Sequence, residues 1–194
     1  MPGDSPAKNE LTVVLDAGAM DAALVRIAQE IVANNEDLHA VALMGVLKRG
    51  RPLADRLAAH IEKMTGQRLR VGSLATTLYR DDLRSGKVAA SVGIHVTHFD
   101  FDVEGLTVVL VDDVLSTGRT IRAALDEIID YGRPKRIQLA CLVDRGLREL
   151  PIQADYLGWS ISTTYDDHVQ VKLKEIDGED VVLLERSTPA EADP

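Results

Sequence analysis

One cysteine, Cys141, is all the chain carries, so no disulfide can close within it. Gln138-Leu139-Ala140 before it and Leu142-Val143 after it read as a strand, where Cys141 is expected to be a small buried thiol. That usage fits a reducing cytoplasm. Long apolar runs are missing too. None approaches the roughly 18 residues of a membrane span, and residues 1–10 lack the apolar stretch of a secretory leader. The expectation is a cytoplasmic protein without a membrane partner. A surplus of positive charge is also absent, since 22 basic and 31 acidic side chains leave a net −9. Non-specific binding to nucleic acid draws mostly on Lys and Arg neutralising phosphates, so the total disfavours it and leaves only a local basic patch.

Familiar nucleotide fingerprints are missing as well. Residues 45–50 have the glycine spacing of a Walker A loop, but Arg51-Pro52 stand where Lys and Ser or Thr are required. No G-x-G-x-x-G follows a strand, so kinase and dinucleotide-binding readings fail. No His/Cys/Asp/Glu cluster has metal-site spacing, and His95 and His98 read as surface or satisfied core residues. Neither an internal repeat nor a second domain is visible.

What is present is ordinary for a globular protein. Apolar residues make up 45% and charged residues 27% of 194 residues, enough for a single domain with a sizeable core. That domain is expected over residues 11–186. Residues 1–10 and 187–194, rich in Pro, Ala, Ser, Asp and Glu, are expected to be disordered tails.

Asp16 suits the N-cap of a helix carrying Met20, Leu24, Ile27, Ala28 and Ile31 at helical spacing and ending near Asn34-Asn35. Residues 39–44 read as a short strand and residues 45–50 as a turn. Pro52 fits a first helical turn, and Leu53, Leu57 and Ile61 carry that helix to Gly66. Residues 69–78 are β-like and end in Tyr79-Arg80-Asp81-Asp82-Leu83. The polar residues 84–93 read as a mobile excursion, with residues 92–96 as its return strand. The continuous apolar residues 107–111 suit a strand buried on both faces of a parallel sheet. The next helix has Ile121, Leu125, Ile128 and Ile129 on its apolar face and stops at Gly132, before Pro134. Residues 137–143 form another buried strand, and shorter strands fall near residues 154–157, 169–173 and 180–184. Strands alternating with helices predict an α/β fold with a largely parallel sheet.

The chemistry concentrates after the strand at residues 107–111. Ligands of open α/β sheets bind beyond the carboxyl ends of the strands. Asp112 and Asp113 are placed there, followed by Ser116-Thr117-Gly118-Arg119-Thr120 opening a helix. Hydroxyls, backbone N–H groups, a glycine that permits close approach and a helix N-terminus with about half a positive charge make a phosphate cradle. The paired carboxylates suit the two donor hydroxyls of a ribose. They also set negative charge beside a sugar that becomes cationic as its C1 bond breaks. Two adjacent acids alone also begin a turn and cap a helix; their coupling to S-T-G-R-T favours the ligand site.

Residues 108–120, VVLVDDVLSTGRT, resemble the phosphoribosyl pyrophosphate (PRPP) signature of type I phosphoribosyltransferases. TLYRDDL at 77–83, YGRP at 131–134, IQLACLVDRGLREL at 137–150 and Ala154-Asp155-Tyr156 resemble one branch, the PyrR family. Its members are pyrimidine operon attenuation regulators that are also uracil phosphoribosyltransferases. The likeness runs from about residue 15 to residue 184 without an obvious insertion. It implies the type I fold, a mostly parallel central sheet flanked by helices, with a flexible hairpin loop over the active site.

By that resemblance Asp112 and Asp113 hold the ribose hydroxyls, and Ser116, Thr117, Gly118, Arg119 and Thr120 hold the 5′-phosphate. Lys48-Arg49-Gly50 resembles the pyrophosphate loop, normally Thr-Arg-Gly. Arg49 is suited to bidentate phosphate contacts, while Lys48 adds charge and bulk. On their own these residues read equally as a solvated turn. Tyr79 to Asp82 resemble the root of the closing loop, with Arg80 a second pyrophosphate ligand; a polar hairpin tip is the plainer alternative. Closure would exclude water from a glycosyl cation. Val143-Asp144-Arg145-Gly146 match the segment facing the base, where uracil's N3–H and carbonyls are read largely by backbone groups. Mg²⁺ is implied, carried mainly on the oxygens of PRPP. A homodimer or larger homo-oligomer is implied as well.

The resemblance is incomplete on the surface that binds RNA in the family. Val25 stands for threonine, Gln29 for histidine, Asn34 for arginine, Leu147 for histidine, Gln153 for arginine and Trp159 for lysine; Arg148 survives. Losing several cations from one face removes phosphate contacts, so binding of attenuator RNA is expected to be weak or absent. Trp159 either stacks on an unpaired base or packs internally. The resemblance, with residues 143–146, implies transfer from PRPP to uracil giving UMP and pyrophosphate, while Lys48 and Ser116 (tyrosine in much of the family) leave room for another base such as a purine; Ala75 stands where the family often has aspartate. The competing expectation is a UMP-responsive RNA regulator with vestigial catalysis.

Overall fold

A computed structural model describes residues 10–75 and 96–187. Among them β2 (Val41–Val46), β3 (Arg70–Leu74), β4 (Thr107–Leu115), β5 (Arg136–Asp144) and β6 (Tyr156–Ser160) form a parallel sheet in the order β3-β2-β4-β5-β6. β2 and residues 108–111 of β4 read as apolar runs because both their faces are covered. Leu43, Val109, Val111 and Leu142 face α1 (Ala17–Asn34) and α2 (Gly50–Thr65). Their neighbours Met44, Leu110 and Cys141 face α3 (Arg119–Tyr131) on the other side. That two-residue alternation places the sheet in the middle of three layers.

Local chemistry sets the ends of the helices. The Asp16 carboxylate accepts from the Ala19 N–H at 2.8 Å, which caps α1 as expected and contributes about 1 kcal/mol. α2 ends at Gly66, whose φ of +73° suits a glycine C-cap. α3 buries Ile121, Ala123, Ala124 and Ile128, while Ile129, expected on the apolar face, is 61% exposed. Ile129 is turned to solvent.

Some strand limits differ from the sequence reading. β2 starts at Val41 because residues 38–40 coil into a 3₁₀ turn, with Asp37 accepting from the His39 N–H. β6 starts at Tyr156, since both the backbone N–H and the carboxylate of Asp155 are engaged with Leu139. β4 runs on to Leu115, so Asp112 and Asp113 lie inside the strand and not beyond it. β5 is long enough to pair that extension, with Asp112 opposite Cys141 and Leu115 opposite Asp144.

A second sheet went unseen in the sequence. β1 (Glu10–Leu15), β8 (Val181–Arg186) and β7 (His168–Lys172) pair antiparallel in the order β1-β8-β7. Leu15, Val169, Val171, Val182 and Leu184 pack into the same core as α1 and α2. The single turn α4 (Lys174–Asp177) joins β7 to β8. Arg56 of α2 donates to Glu175 at 2.8 and 2.6 Å and to Asp180 at 2.7 Å, which ties this sheet to α2. Trp159, weighed above for internal packing, is 47% exposed on β6. The closing-loop residues Tyr79 to Asp82 with Arg80, residues 92–95 of the return strand expected over 92–96, and His95 lie outside the described residues; Val96 is described and is not in a strand. His98 bridges Ser73 through reciprocal backbone hydrogen bonds of 2.9 Å.

Candidate active site

The carboxyl ends of β2 and β4 open on a cleft of about 310 Å³. Lys48 and Arg49 enter it from the end of β2, Asp112 and Asp113 from β4, and Ser116, Thr117, Gly118 and Thr120 from the turn into α3. Asp112 is 6% exposed and accepts from the Asp113 N–H at 3.0 Å. Asp113 is less buried and accepts from the Val114 N–H at 3.0 Å. Beside them, Cys141 is buried, as expected. Burial first, and then the charges of Asp112, Asp113 and Asp144, push its thiol pKa well up.

The turn into α3 is shaped for close approach. Gly118 has φ +92°, and a Cβ there would meet Ile152 at 3.3 Å. Its carbonyl accepts from the Arg122 N–H at 2.9 Å, which opens the helix. The carbonyl of Thr117 accepts from the N–H groups of Glu149 and Leu150, both at 3.1 Å. Arg119 points its guanidinium at Glu149, 2.6 and 2.8 Å away, and does not line the cleft. Thus residues 145–152 brace the loop from behind.

The residues after β2 press onto β4. Gly50 lies beneath the cleft and does not line it. The Leu47–Lys48 peptide is cis. Arg49 donates to both carboxylate oxygens of Asp177, at 3.1 and 3.3 Å. Its Nε is buried without a hydrogen-bond partner.

Two expected base-facing residues sit elsewhere. Val143 is buried in the core and pairs with Trp159. Asp144 borders a separate cavity of about 710 Å³, and its carboxylate accepts from the Gly146 N–H and pairs with Arg148. Arg145 also turns inward, to Thr163 Oγ1 at 3.0 Å and to the carbonyls of Thr164 and Asp167, both at 2.8 Å. Burial lowers its pKa, against the opposing pull of Asp167. D-R-G is therefore a structural knot. The wall that sequence reasoning missed is β7, with residues 168–171 lining the cleft. HVQVK carries only strand alternation, and nothing local says that this strand folds over β4.

The phosphoribosyl transferase domain model matches residues 11–176. "Bifunctional protein PyrR" of Roseiflexus sp. is 51% identical over 90% of the chain and 95% of its own length. That of Chloroflexus aurantiacus is 52% identical over 90% and 95%. Among solved structures, the HGPRTase of Leishmania tarentolae in complex with GMP aligns with TM-score 0.67 at 19% identity, over 90% of this chain and 96% of that one. The hypoxanthine phosphoribosyl transferase of Trypanosoma cruzi aligns with TM-score 0.65 at 17% identity, over 95% of both chains. At those identities the structures establish a shared fold.

Proposed function

The chain belongs to the phosphoribosyl transferase family, within its PyrR branch, and we propose that it transfers the phosphoribosyl group of PRPP to uracil, giving UMP and pyrophosphate. The observation that carries this reading is the meeting of paired carboxylates, a hydroxyl-rich helix-opening loop and two cations in one cleft.

In this reading Asp112 and Asp113 accept from the ribose hydroxyls and steady the positive charge that develops as the bond from C1 to pyrophosphate breaks. The loop of residues 116–120 holds the 5′-phosphate through backbone N–H groups and hydroxyls at the start of α3. Arg119 contributes mainly through its backbone, since Glu149 takes its guanidinium. Lys48 and Arg49 receive the leaving pyrophosphate, with Gly50 setting the loop's height; Arg80 is a further pyrophosphate ligand by resemblance alone. Uracil N1 bonds to C1 as the C1–O bond to pyrophosphate breaks, and the N1 proton passes to the departing pyrophosphate or to solvent.

The base lies toward β7. That strand is at the edge of its sheet among the described residues, so one row of its backbone groups faces away from β8. Backbone reading of N3–H and the carbonyls fits there. Among the described residues no group of three His, Cys, Asp or Glu would cage a metal. Asp112 and Asp113 instead fit Mg²⁺ arriving on PRPP, where the ion offsets the charge of the pyrophosphate.

Attenuator RNA binding is weak or lost in this reading. Gln29, Asn34, Gln153 and Trp159 are exposed where the family has cations or a histidine. The side chain of Arg26 donates to the carbonyls of Leu157 and Gly158, which gathers α1 and β6 into one such face. We place the protein in the cytoplasm as a homodimer or larger homo-oligomer. Among the described residues no helix is long and apolar enough to cross a membrane.

The test incubates the protein with PRPP, Mg²⁺ and either uracil or hypoxanthine and follows nucleotide formation. UMP that disappears in Asp113→Asn supports the assignment. IMP alone would move the specificity to a purine. No product with either base, together with UMP-enhanced binding of a pyrimidine-leader RNA, would favour the regulator with vestigial catalysis.

A further inference from the structure

Arg148 survives from the family's RNA-binding surface, yet its side chain is only 25% exposed and its guanidinium is spent inside the protein. Nε donates to the carbonyl of Ile152 at 2.7 Å. Nη1 donates to the carbonyls of Ser116 at 2.7 Å and Gly146 at 3.2 Å. Nη2 pairs with the carboxylate of Asp144. A guanidinium has five N–H donors in a fixed plane, and these four partners lie on three different segments: the turn from β4 into α3, the end of β5 and residues 146–152.

We infer that Arg148 is a positioning residue for the phosphate loop, acting through the peptide units of Ser116 and Thr117. The inference rests on the transferase reading above. A trans peptide is planar, with its C=O and N–H pointing opposite ways. Holding the carbonyl of Ser116 therefore fixes where the N–H of Thr117 points. The next unit is held the same way, because the carbonyl of Thr117 accepts from the N–H groups of Glu149 and Leu150, which directs the N–H of Gly118. Residues 149 and 150 keep that position because Arg148 also ties Gly146 and Ile152 together across them. Two N–H groups of the cradle are thus aimed by a residue that never touches the ligand. Asp144 balances the buried charge, which explains why its carboxylate is turned from the cleft.

The discriminating variants are Arg148→Gln and Arg148→Lys in the full chain. Each is assayed for KM of PRPP, kcat and thermal midpoint, and UMP binding is measured by calorimetry. A lysine reaches Asp144 but cannot span Ser116 and Ile152, because it lacks the planar fork. It should keep the fold and lose the aim. Expected for Arg148→Lys is a thermal midpoint near that of the unaltered protein and a rise of roughly 10- to 100-fold in KM for PRPP and in Kd for UMP, the scale of a slight misplacement of binding groups. Its kcat should change far less. Arg148→Gln should show the same split more strongly; if it does not fold, Arg148→Lys decides. A folded Arg148→Lys with unchanged PRPP and UMP affinity overturns the inference, as does a variant that loses only RNA affinity. If the unaltered protein itself binds neither PRPP nor UMP, the transferase reading fails and takes the inference with it.

Discussion

A Cβ placed on Gly50 would stand 2.2 Å from the carbonyl oxygen of Val111, so the first residue of α2 rests directly on the strand that carries Asp112 and Asp113. That contact sets the distance between the Lys48-Arg49 loop and the acids. Gly50→Ala should therefore separate them. The clash is with backbone, which no rotamer change relieves, and overpacking of this kind costs about 1–3 kcal/mol. A lowered thermal midpoint together with a raised KM for PRPP is expected; an alanine variant with unchanged values of both would show that the two loops are not set by this contact.

Cys141 offers a direct readout of the core beneath the acids. Burial and the neighbouring carboxylates push its pKa up, so at neutral pH it is the unreactive thiol and not the thiolate. An aromatic disulfide reagent should label no thiol in the native protein and one after denaturation. Rapid labelling without unfolding would contradict the buried placement.

The attachment of the second sheet should depend on pH through Glu175 and Asp180. The hydrogen bond from Arg56 holds Glu175 below its ordinary pKa. For Asp180, burial pushes the pKa up, but the bonds from Arg56 and the Lys174 N–H outweigh it and the net direction is down. Carboxyls depressed in the folded state stabilise it above their unfolded values near ~4 and lose that contribution as pH falls toward the folded values. Arg56→Ala should cost about 1–3 kcal/mol at pH 7. It should also shrink the loss of stability between pH 5 and the acid limit, as read by urea denaturation. Equal acid sensitivity in the variant would place the effect elsewhere.

Where the sequence was legible, a local pattern was enough. Asp16 with Met20, Leu24, Ile27 and Ile31 located α1, and the apolar residues 107–111 located the centre of the sheet. The acids and the hydroxyl-rich turn were legible because they are contiguous, so their meeting needed no knowledge of tertiary structure. β1 was lost because ELTVVL is short, adjoins a tail-like stretch and finds its partner, β8, at the other end of the chain. A strand was legible at 169–173, but the same non-locality hid that residues 168–171 line the cleft. Val143 and Asp144 were expected at the ligand because they end a strand. One is instead sealed by β6, and the other is claimed by an arginine four residues later.

Asp177 and pyrophosphate should compete for Arg49. The guanidinium reaches across from the end of β2 to α4 and touches both oxygens of Asp177. Its buried Nε still lacks a hydrogen-bond acceptor, and an unsatisfied buried donor is costly. A pyrophosphate oxygen beside Arg49 would satisfy Nε while the same guanidinium is drawn from the carboxylate. Asp177→Asn removes the competing charge yet keeps an oxygen for the Leu173 N–H, which Asp177 now caps at 2.9 Å. Stability should move by less than about 1 kcal/mol, because partly exposed ion pairs contribute little. Product inhibition by pyrophosphate should strengthen several-fold, an effect of the same small pair energy, and should grow as salt is lowered. Weaker inhibition in the variant would reverse the assignment, making Asp177 the group that orients Arg49 toward its ligand instead of the one that holds it back.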